Sequence, residues 1–527
     1  MIRPFFFFNK EVAFVIRERK GDEAVKYVIG VDLGTSAVKL LLVNQKGKVV
    51  QEVSKEYPLM QEKAGYSEQN PEDWVEQAIA GLTELTDRFS GNLSDIEGIS
   101  FSGQMHGLVL VDDSHEVIRP AILWNDTRTT AECREITTCV GEDTLLEIPK
   151  NMALEGFTLT KILWVRKHEP ENYAKAKLFL LPKDYLRFRL TGQLHMDYSD
   201  AAGTLLLDIK KRSWSKEICE ALDIHPDLCP QLVPSHEMVG SFKREIAEKT
   251  GLSEEMKVFA GGADNACGAI GSGILEEGKT MVSIGTSGVV VSYEANGDKS
   301  FEGKVHYMNH AAPDAYYTMG VTLSAGHSLS WFKNTFAKER TFDDLIKEAK
   351  DVPAGANGLL FTPYLAGERT PHVDASIRGS FIGMDSSHER KHFTRAVIEG
   401  ITFSLNESVE IFREHGKVID KVIAIGGGAK SELWLQIQAD VFDAAVIKPN
   451  SEQGPGMGAA MLAAYGAGWF ETLQECASVF LEDAKRVEPI PENVEKYKEL
   501  FKLYKSVYGS TRQVNKDLMQ YRNSGKA

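Results

Sequence analysis

The chain reads as an α/β protein of two domains, each a mixed sheet flanked by helices, and three observations lead there. At 527 residues it exceeds the size at which one hydrophobic core stops growing, so two domains of roughly 200 residues or more are expected. Strand patterns alternate with helical ones along most of the sequence, which is the mark of α/β layering. One phrase also occurs twice in the same setting: residues 27–47 read YVIGVDLGTSAVKLLLVNQKG and residues 281–297 read MVSIGTSGVVVSYEANG. Each is an apolar strand, a Gly-Thr-Ser turn and a second apolar strand.

The elements follow in order. Strand signals cluster at 27–44, 96–111 and 117–124. Asn70 and Pro71 open a helix that carries Trp74, Ala78, Leu82 and Leu85 on one face, an N-cap followed by proline at the first helical position. Residues 257–273, KVFAGGADNACGAIGSG, give a strand, a Gly-Gly turn, Asp264 and a helix of small residues, and this Gly-rich stretch is the natural hinge between the halves. After the second hairpin come helices near 327–336 and 388–415, a strand at 422–425, a helix at 431–442, a short strand at 445–448 and a small-residue helix at 456–467. An amphipathic helix over 489–520 closes the chain. Residues 1–26 read as an extension outside the fold. The Phe5 to Phe8 run lacks the cleavage site of a signal peptide, and Val25 is a candidate native start.

The paired hairpins point to phosphate. Glycine at a turn permits positive φ and close backbone approach, while the turn N–H groups with the Thr and Ser hydroxyls form an anion-sized nest. An ordinary hairpin turn accounts for either copy alone but not for the matched pair. The copies differ at one position: Asp32 precedes the first Gly by two residues, where the second hairpin has Ser283. A hard cation such as Mg²⁺, bound through one or two carboxylates and phosphate oxygens, explains that asymmetry.

Asp264 stands at a helix N-terminus, where the dipole and free N–H groups keep it ionised. A plain cap and a general base both fit locally. Its place between the hairpins favours the base, orienting a sugar hydroxyl toward a γ-phosphate and taking its proton. Residues 98–107, GISFSGQMHG, end a strand in polar side chains, so Gln104 and His106 can reach a cleft and offer a polyol both donors and acceptors. Trp124, Asn125, Asp126 and Arg128 form a comparable cluster. At Gly426, Gly427 and Gly428 a strand runs into a surface free of side chains, on which an adenine ring can lie.

Composition excludes several classes. The net charge of −15 with dispersed basic residues argues against nucleic acid or an anionic membrane as partner. The six cysteines show no CxxC spacing, as in a reduced cytoplasmic enzyme. No apolar run reaches the roughly 20 residues of a membrane span. Two motif matches fail on context. Residues 273–280, GILEEGKT, fit the P-loop pattern but have a helix before and a strand after, the reverse of what a P-loop needs. Residues 388–392, HERKH, fit a zinc-protease pattern, yet follow a polar turn and read as an exposed first helical turn with Arg390 and Lys391 where a dication would sit.

At these residues the chain resembles the FGGY carbohydrate kinases. The matching segments are DLGTSAVK (32–39), SGQMHG (102–107), LWNDTR (123–128), LPKDYLR (181–187), SDAAGTLLLD (199–208), GGADNACGA (261–269), SIGTSG (283–288), PYLAGERTPH (363–372) and IGGGAKSE (425–432). The resemblance runs from about Tyr27 to the C-terminus. It implies two ribonuclease-H-like domains of the actin-like ATPase type, with the active site in the cleft between them. Residues 27–273 would carry the sugar and the catalytic base, and residues 274–520 the nucleotide. Asp264 is thereby the catalytic base, Met105 and His106 are sugar contacts, and Asp32 is the metal-side carboxylate. Thr35, Ser36, Lys39 and Thr286 approach phosphates, and Gly326, Gly427 and Gly428 approach the nucleotide. The implied reaction uses ATP and Mg²⁺ to convert D-xylulose to D-xylulose 5-phosphate. Another ketopentose or a polyol, L-ribulose among them, is the alternative within this class. From a different class comes an actin-like or chaperone-type ATPase, although no client module remains after residue 470. A homodimer stays open as the assembly.

Overall fold

Chain order supplies the first sheet with β1 (Tyr27–Leu33), β2 (Ala37–Asn44), β3 (Val49–Glu56), β4 (Ile96–Gly103), β5 (Met238–Gly240), β6 (Lys257–Phe259) and β7 (Gly262–Ala263). The computed structural model describes residues 25–450 and 453–524, so the expected extension 1–26 lies outside them save for its last two residues. In space the strands run β5–β6–β4–β1–β2–β3, with β7 beside β4. Strands β1, β2 and β3 are antiparallel, while β4 lies parallel to β1 and β6 parallel to β4.

The second sheet repeats this plan. It contains β8 (Lys279–Ile284), β9 (Gly288–Glu294), β10 (His306–Asn309), β11 (Tyr316–Thr322), β12 (Lys421–Gly426), β13 (Ala445–Pro449) and β14 (Asp483–Val487), ordered β10–β11–β9–β8–β12–β13–β14. Strands β8, β9 and β11 are antiparallel, and β12 and β13 extend the sheet in parallel from β8. The two Gly-Thr-Ser turns therefore occupy equivalent places, each joining the central strand of its sheet to the next.

Nine helices matter for the site: α1 (Pro71–Arg88), α2 (Pro182–Thr191), α3 (Tyr198–Ala202), α4 (Asp264–Gly271), α5 (Gly326–Phe336), α6 (Arg390–Glu414), α7 (Glu432–Phe442), α8 (Gly454–Gly466) and α9 (Pro491–Asn523). Helix α1 starts as expected, with the Asn70 side chain accepting from the Glu72 N–H (3.3 Å) and Pro71 in the first turn. The period-2 alternation of β1 splits its side chains between two cores. Ile29, Val31 and Leu33 pack with Trp74 and Leu82 of α1, whereas Val28 joins the core that contains Ala266, Ile270 and Ala460 of α4 and α8.

Glycines set the seam between the halves. A Cβ on Gly458 would fall 1.9 Å from the Cys267 carbonyl oxygen, and one on Gly271 would fall 2.1 Å from that of Gly454. A Cβ on Gly30 would meet the Gly456 oxygen at 2.1 Å. Helix α8, which belongs to the second half in sequence, is thus pressed backbone to backbone onto β1 and α4 of the first. The stretch 261–273 expected as a hinge forms β7, α4 and one side of this seam.

Several sequence expectations are corrected. The strand signals clustered over 96–111 divide into a strand that ends at Gly103, before the polar side chains, and a second one at Val109–Val111, with Met105 and His106 outside the sheet, His106 with φ of 66°. Of the strand expected over 117–124, only Ala121–Ile122 pairs as one. The HERKH segment is exposed only in part: the Glu389 side chain is 69% exposed, but the His388 side chain is 1% exposed and His392 is buried. Helix α6 opens after Glu389, and the His392 imidazole accepts from the Glu389 N–H (2.9 Å) while its other nitrogen meets the Asn357 amide (3.2 Å). Residues 273–280 pass from α4 into β8 without a following helix. Among the described residues no helix is long and apolar enough to cross a membrane.

Candidate active site

The turn after β1 is closed by the Gly34 N–H donating to the Ala37 carbonyl (3.0 Å), and the turn after β8 by the Gly285 N–H donating to Ser287 (2.9 Å). Neither glycine has positive φ, contrary to expectation, since a three-residue loop closes without a left-handed residue. What these loops need is clearance. A Cβ on Gly326 would sit 2.4 Å from the Gly285 carbonyl oxygen, so the start of α5 can lie directly against the second turn, where the Gly326 N–H donates to that oxygen (2.8 Å).

That second turn divides two cavities. One, of about 740 Å³, is lined by Gly285, Thr286, Gly326, Gly427, Gly428, Phe342, Lys347 and Trp434. The other, of about 530 Å³, is lined by Met105, His106, Trp124, Asp126, Asp264 and Asn265 from the first half, and by Ser283, Gly285, Ser287, His306 and Arg369 from the second. Gly285 belongs to both walls. Thr286, Gly326, Gly427 and Gly428, expected near the nucleotide, all meet at the first cavity. Met105, His106 and Asp264, expected near the sugar, meet at the second.

The first turn is more occupied than expected. The Thr35 hydroxyl donates to Gln104 Oε1 (3.3 Å) and accepts from the Trp124 indole (3.0 Å). Gln69, which the sequence did not single out, ties this region together: its amide donates to the Thr35 carbonyl (2.6 Å), and its oxygen accepts from Gln104 (3.1 Å) and Trp74 (3.0 Å). Gln104 therefore stands behind the cavity wall as a brace. Lys39 pairs with Glu52 (3.1 Å) and Gln453 (3.3 Å), and Ser36 is exposed. In the Trp124 to Arg128 cluster, Arg128 stacks on Tyr66 (3.5 Å) and pairs with Asp126 (2.6 Å) and Glu68 (2.7 Å), so it holds the loop instead of facing a ligand.

Asp264 and Asp32 share one field. Burial pushes the Asp264 carboxyl up to about 7, the neighbouring Asp32 adds to the rise, and one hydrogen bond from the Asn265 N–H (2.6 Å) opposes it. Burial pushes Asp32 up to about 6 against a hydrogen bond from Ser102 and the charge of Lys39. The expectation that a helix N-terminus keeps Asp264 ionised is thus corrected. It is the first residue of α4, with Ala263 as the cap, and loss of water outweighs the dipole. Two neighbouring carboxyl groups of this kind fit a divalent metal of the Mg²⁺ type, which favours carboxylate oxygens.

His106 is held in one state. Burial lowers its imidazole to about 4, against the hydrogen bond its Nδ1 makes with the Gly203 carbonyl (2.7 Å). The ring is neutral at ordinary pH, donates through Nδ1 and keeps Nε2 as an acceptor. His306 and Arg369 were missed by sequence reasoning. His306 opens strand β10 with nothing local to mark it, whereas Arg369 lies in the charged, Gly- and Pro-flanked GERTPH run, the one available signal. Among the described residues no hydrogen bond or ion pair engages the Arg369 guanidinium, which burial holds below its usual range.

Comparison with known proteins matches this architecture to its relatives. Residues 27–271 match the N-terminal domain of the FGGY family of carbohydrate kinases, and residues 280–467 its C-terminal domain. The chain is 61% identical over 500 residues to a xylulose kinase of Bacillus subtilis (strain 168), covering 95% of this chain and all of that one. It is 49% identical to a xylulose kinase of Staphylococcus epidermidis (strain ATCC 12228 / FDA PCI 1200) over 94% of this chain and 99% of the relative. The crystal structure of a xyloylose kinase from Brucella ovis superposes with a TM-score of 0.88 at 34% identity, over 93% of this chain and 100% of that one. With two sheets of one plan, a glycine-lined cavity and a carboxylate-bearing cavity sharing one turn, and matches to both halves, the chain belongs to the FGGY family of carbohydrate kinases.

Proposed function

We propose that the protein transfers the γ-phosphoryl group of ATP to a hydroxyl of D-xylulose, giving ADP and D-xylulose 5-phosphate in xylose breakdown. The observation that carries this reading is the Gly285 to Ser287 turn standing between two cavities, one lined by glycines and the other by Asp264 and His106. Residues 27–273 hold the sugar and the base, and residues 274–520 the nucleotide. The similarity to xylulose kinases supports the choice of sugar.

Asp264 in its ionised form orients the attacking hydroxyl and takes its proton as the new O–P bond forms and the bond to the ADP oxygen breaks. His106 Nε2 accepts from a sugar hydroxyl, and the unpartnered Arg369 donates to sugar oxygens from the opposite half. Thr286 and the turn N–H groups face the phosphates, with Ser36 and Lys39 reaching them from the first half once Lys39 releases Glu52. Asp32 would hold Mg²⁺, which when bound neutralises phosphate charge. The reaction belongs in the cytoplasm, where ATP is supplied. Closure of the halves excludes water that would otherwise accept the phosphoryl group.

ADP release measured over a panel of ketopentoses, pentitols and aldonates tests the reading, with wild type and Asp264→Asn side by side. D-xylulose should lead the panel, and Asp264→Asn should lose at least about 10²-fold in kcat with KM for the sugar nearly unchanged. Faster turnover of another acceptor would reassign the substrate. ATP turnover indifferent to every acceptor would remove the sugar-kinase reading, and a fully active Asp264→Asn would remove the base.

A further inference from the structure

Behind the cavity wall lies a buried ion cluster that the reaction as described does not use. Lys183, Asp184 and Arg187 of α2 meet Asp197 and Asp200, all five without solvent exposure. The Lys183 ammonium lies 2.6 Å from Asp184, 3.1 Å from Asp197 and 3.3 Å from Asp200, and Arg187 lies 2.9 Å from Asp184. The three carboxylates converge closely enough to embrace a cation, but the Lys183 ammonium already takes that role. Burial pushes Asp200 well above the carboxylate range against the pull of the Lys183 charge. Buried ion sets of this kind are weak explanations of stability, since apolar replacements often serve as well.

What the cluster grips is more telling. Arg187 and Lys183 both donate to the Ala260 carbonyl (2.7 and 3.5 Å), at the start of the loop that carries the base. Asp197 caps α3, its Oδ2 accepting from the Ser199 N–H (2.8 Å), the Ser199 hydroxyl (2.5 Å) and the Ser235 hydroxyl (2.7 Å). The Ser199 hydroxyl in turn accepts from the Ala263 N–H (2.9 Å), the residue immediately before Asp264. Just beyond the other end of this five-residue helix, the Gly203 carbonyl accepts from His106 Nδ1 (2.7 Å). There is little slack, since a Cβ on Gly262 would stand 3.1 Å from the Ser199 hydroxyl and 2.8 Å from Ala311.

We propose that α3, clamped by the Lys183–Asp197 pair, is the positioning unit that fixes the base-bearing loop and the sugar-facing imidazole relative to one another, with Ser199 the positioning residue for Asp264. The inference rests on Asp264 being the base. Geometry of this kind is worth much to catalysis, because a misplacement of about 1 Å costs on the order of 10²-fold in rate.

Ser199 and Ser235 supply a matched test, because each gives one hydroxyl to the same Asp197 oxygen and only the Ser199 hydroxyl also accepts from the base loop; Ser235 meets that loop through its backbone carbonyl, which takes the Gly261 N–H (2.9 Å) and survives Ser235→Ala. Ser199→Ala and Ser235→Ala should lower the thermal midpoint to a similar degree. Only Ser199→Ala should lose kcat, by about 10- to 100-fold with sugar KM little changed, while Ser235→Ala stays within about twofold of wild type. If Ser199→Ala fails to fold, Ser199→Cys keeps the volume while offering only a weak acceptor, and the same loss of kcat is expected of it. Equal kcat in the Ser199 and Ser235 variants would overturn the proposal and leave the cluster a purely structural one. An inactive Asp264→Asn beside an unimpaired Ser199→Ala would sink the clamp alone, whereas an active Asp264→Asn would sink the base on which it rests.

Discussion

Asp264 has to be ionised to take a proton, yet its surroundings favour the neutral acid. As the proposed base it works near its own midpoint, and kcat/KM should fall about tenfold per pH unit below about 7 as the carboxyl takes up a proton. Asp32→Asn removes a neighbouring negative charge, so ¹³C NMR titration of the metal-free protein should place the Asp264 midpoint lower than in wild type; an unmoved midpoint would dismiss the coupling. The sign for stability follows. A carboxyl whose folded value lies above its ordinary 3.8 favours the fold at acid pH and loses that contribution as pH rises through the folded value. Asp264→Asn should accordingly be more stable than wild type at pH 8 and gain nothing at pH 4, as urea titration at the two pH values would reveal. His106, already neutral, should add no step to the activity profile above pH 5.

At the scale of elements, the seam between α4 and α8 depends on hydrogen in place of a side chain. Gly458→Ala must push two backbones apart where a Cβ would stand 1.9 Å from a carbonyl oxygen, and overpacking of this order costs roughly 1–3 kcal/mol. Urea unfolding should register that loss, and an unchanged midpoint would mean that the seam yields freely. The elements themselves were largely legible. Helix α1 declared itself through Asn70, Pro71 and its apolar face, and the paired hairpins through their repeated phrase. Less legible were the places where tertiary contact overrides a local pattern. Strand signals cluster over 96–111, and the polar residues after Gly103 mark where the first strand ends, but that His106 turns out there to meet Gly203 is set by contact from far along the chain. HERKH reads as a solvated helix start because it follows a polar turn and carries Arg390 and Lys391, yet Asn357 and the Glu389 N–H draw His392 into the interior.

For the whole molecule, the two cavities share the turn at Gly285, so their occupants should feel each other. A non-hydrolysable ATP analogue at about 100 times its Kd should stabilise the fold by about 2.7 kcal/mol if it binds only the native state. Adding D-xylulose should bring a gain larger than the sugar gives alone. Differential scanning calorimetry with each ligand and with both checks this, and strictly additive shifts would argue against coupling through the turn.

The sequence alone determined the class, the doubled plan and the residues that bring carboxylate, imidazole and glycine to a phosphate-handling cleft, because strand period, turn chemistry and repeated motifs are local properties. Only the tertiary structure decided which of those groups line the cavities and in what surroundings. It placed Gln104 behind the wall, tied Lys39 to Glu52, raised Asp264 through burial beside Asp32, and brought His306 and Arg369 across from the other half. Desolvation and pairing depend on what chain folding sets opposite a group, and the residues opposite lie far away along the sequence.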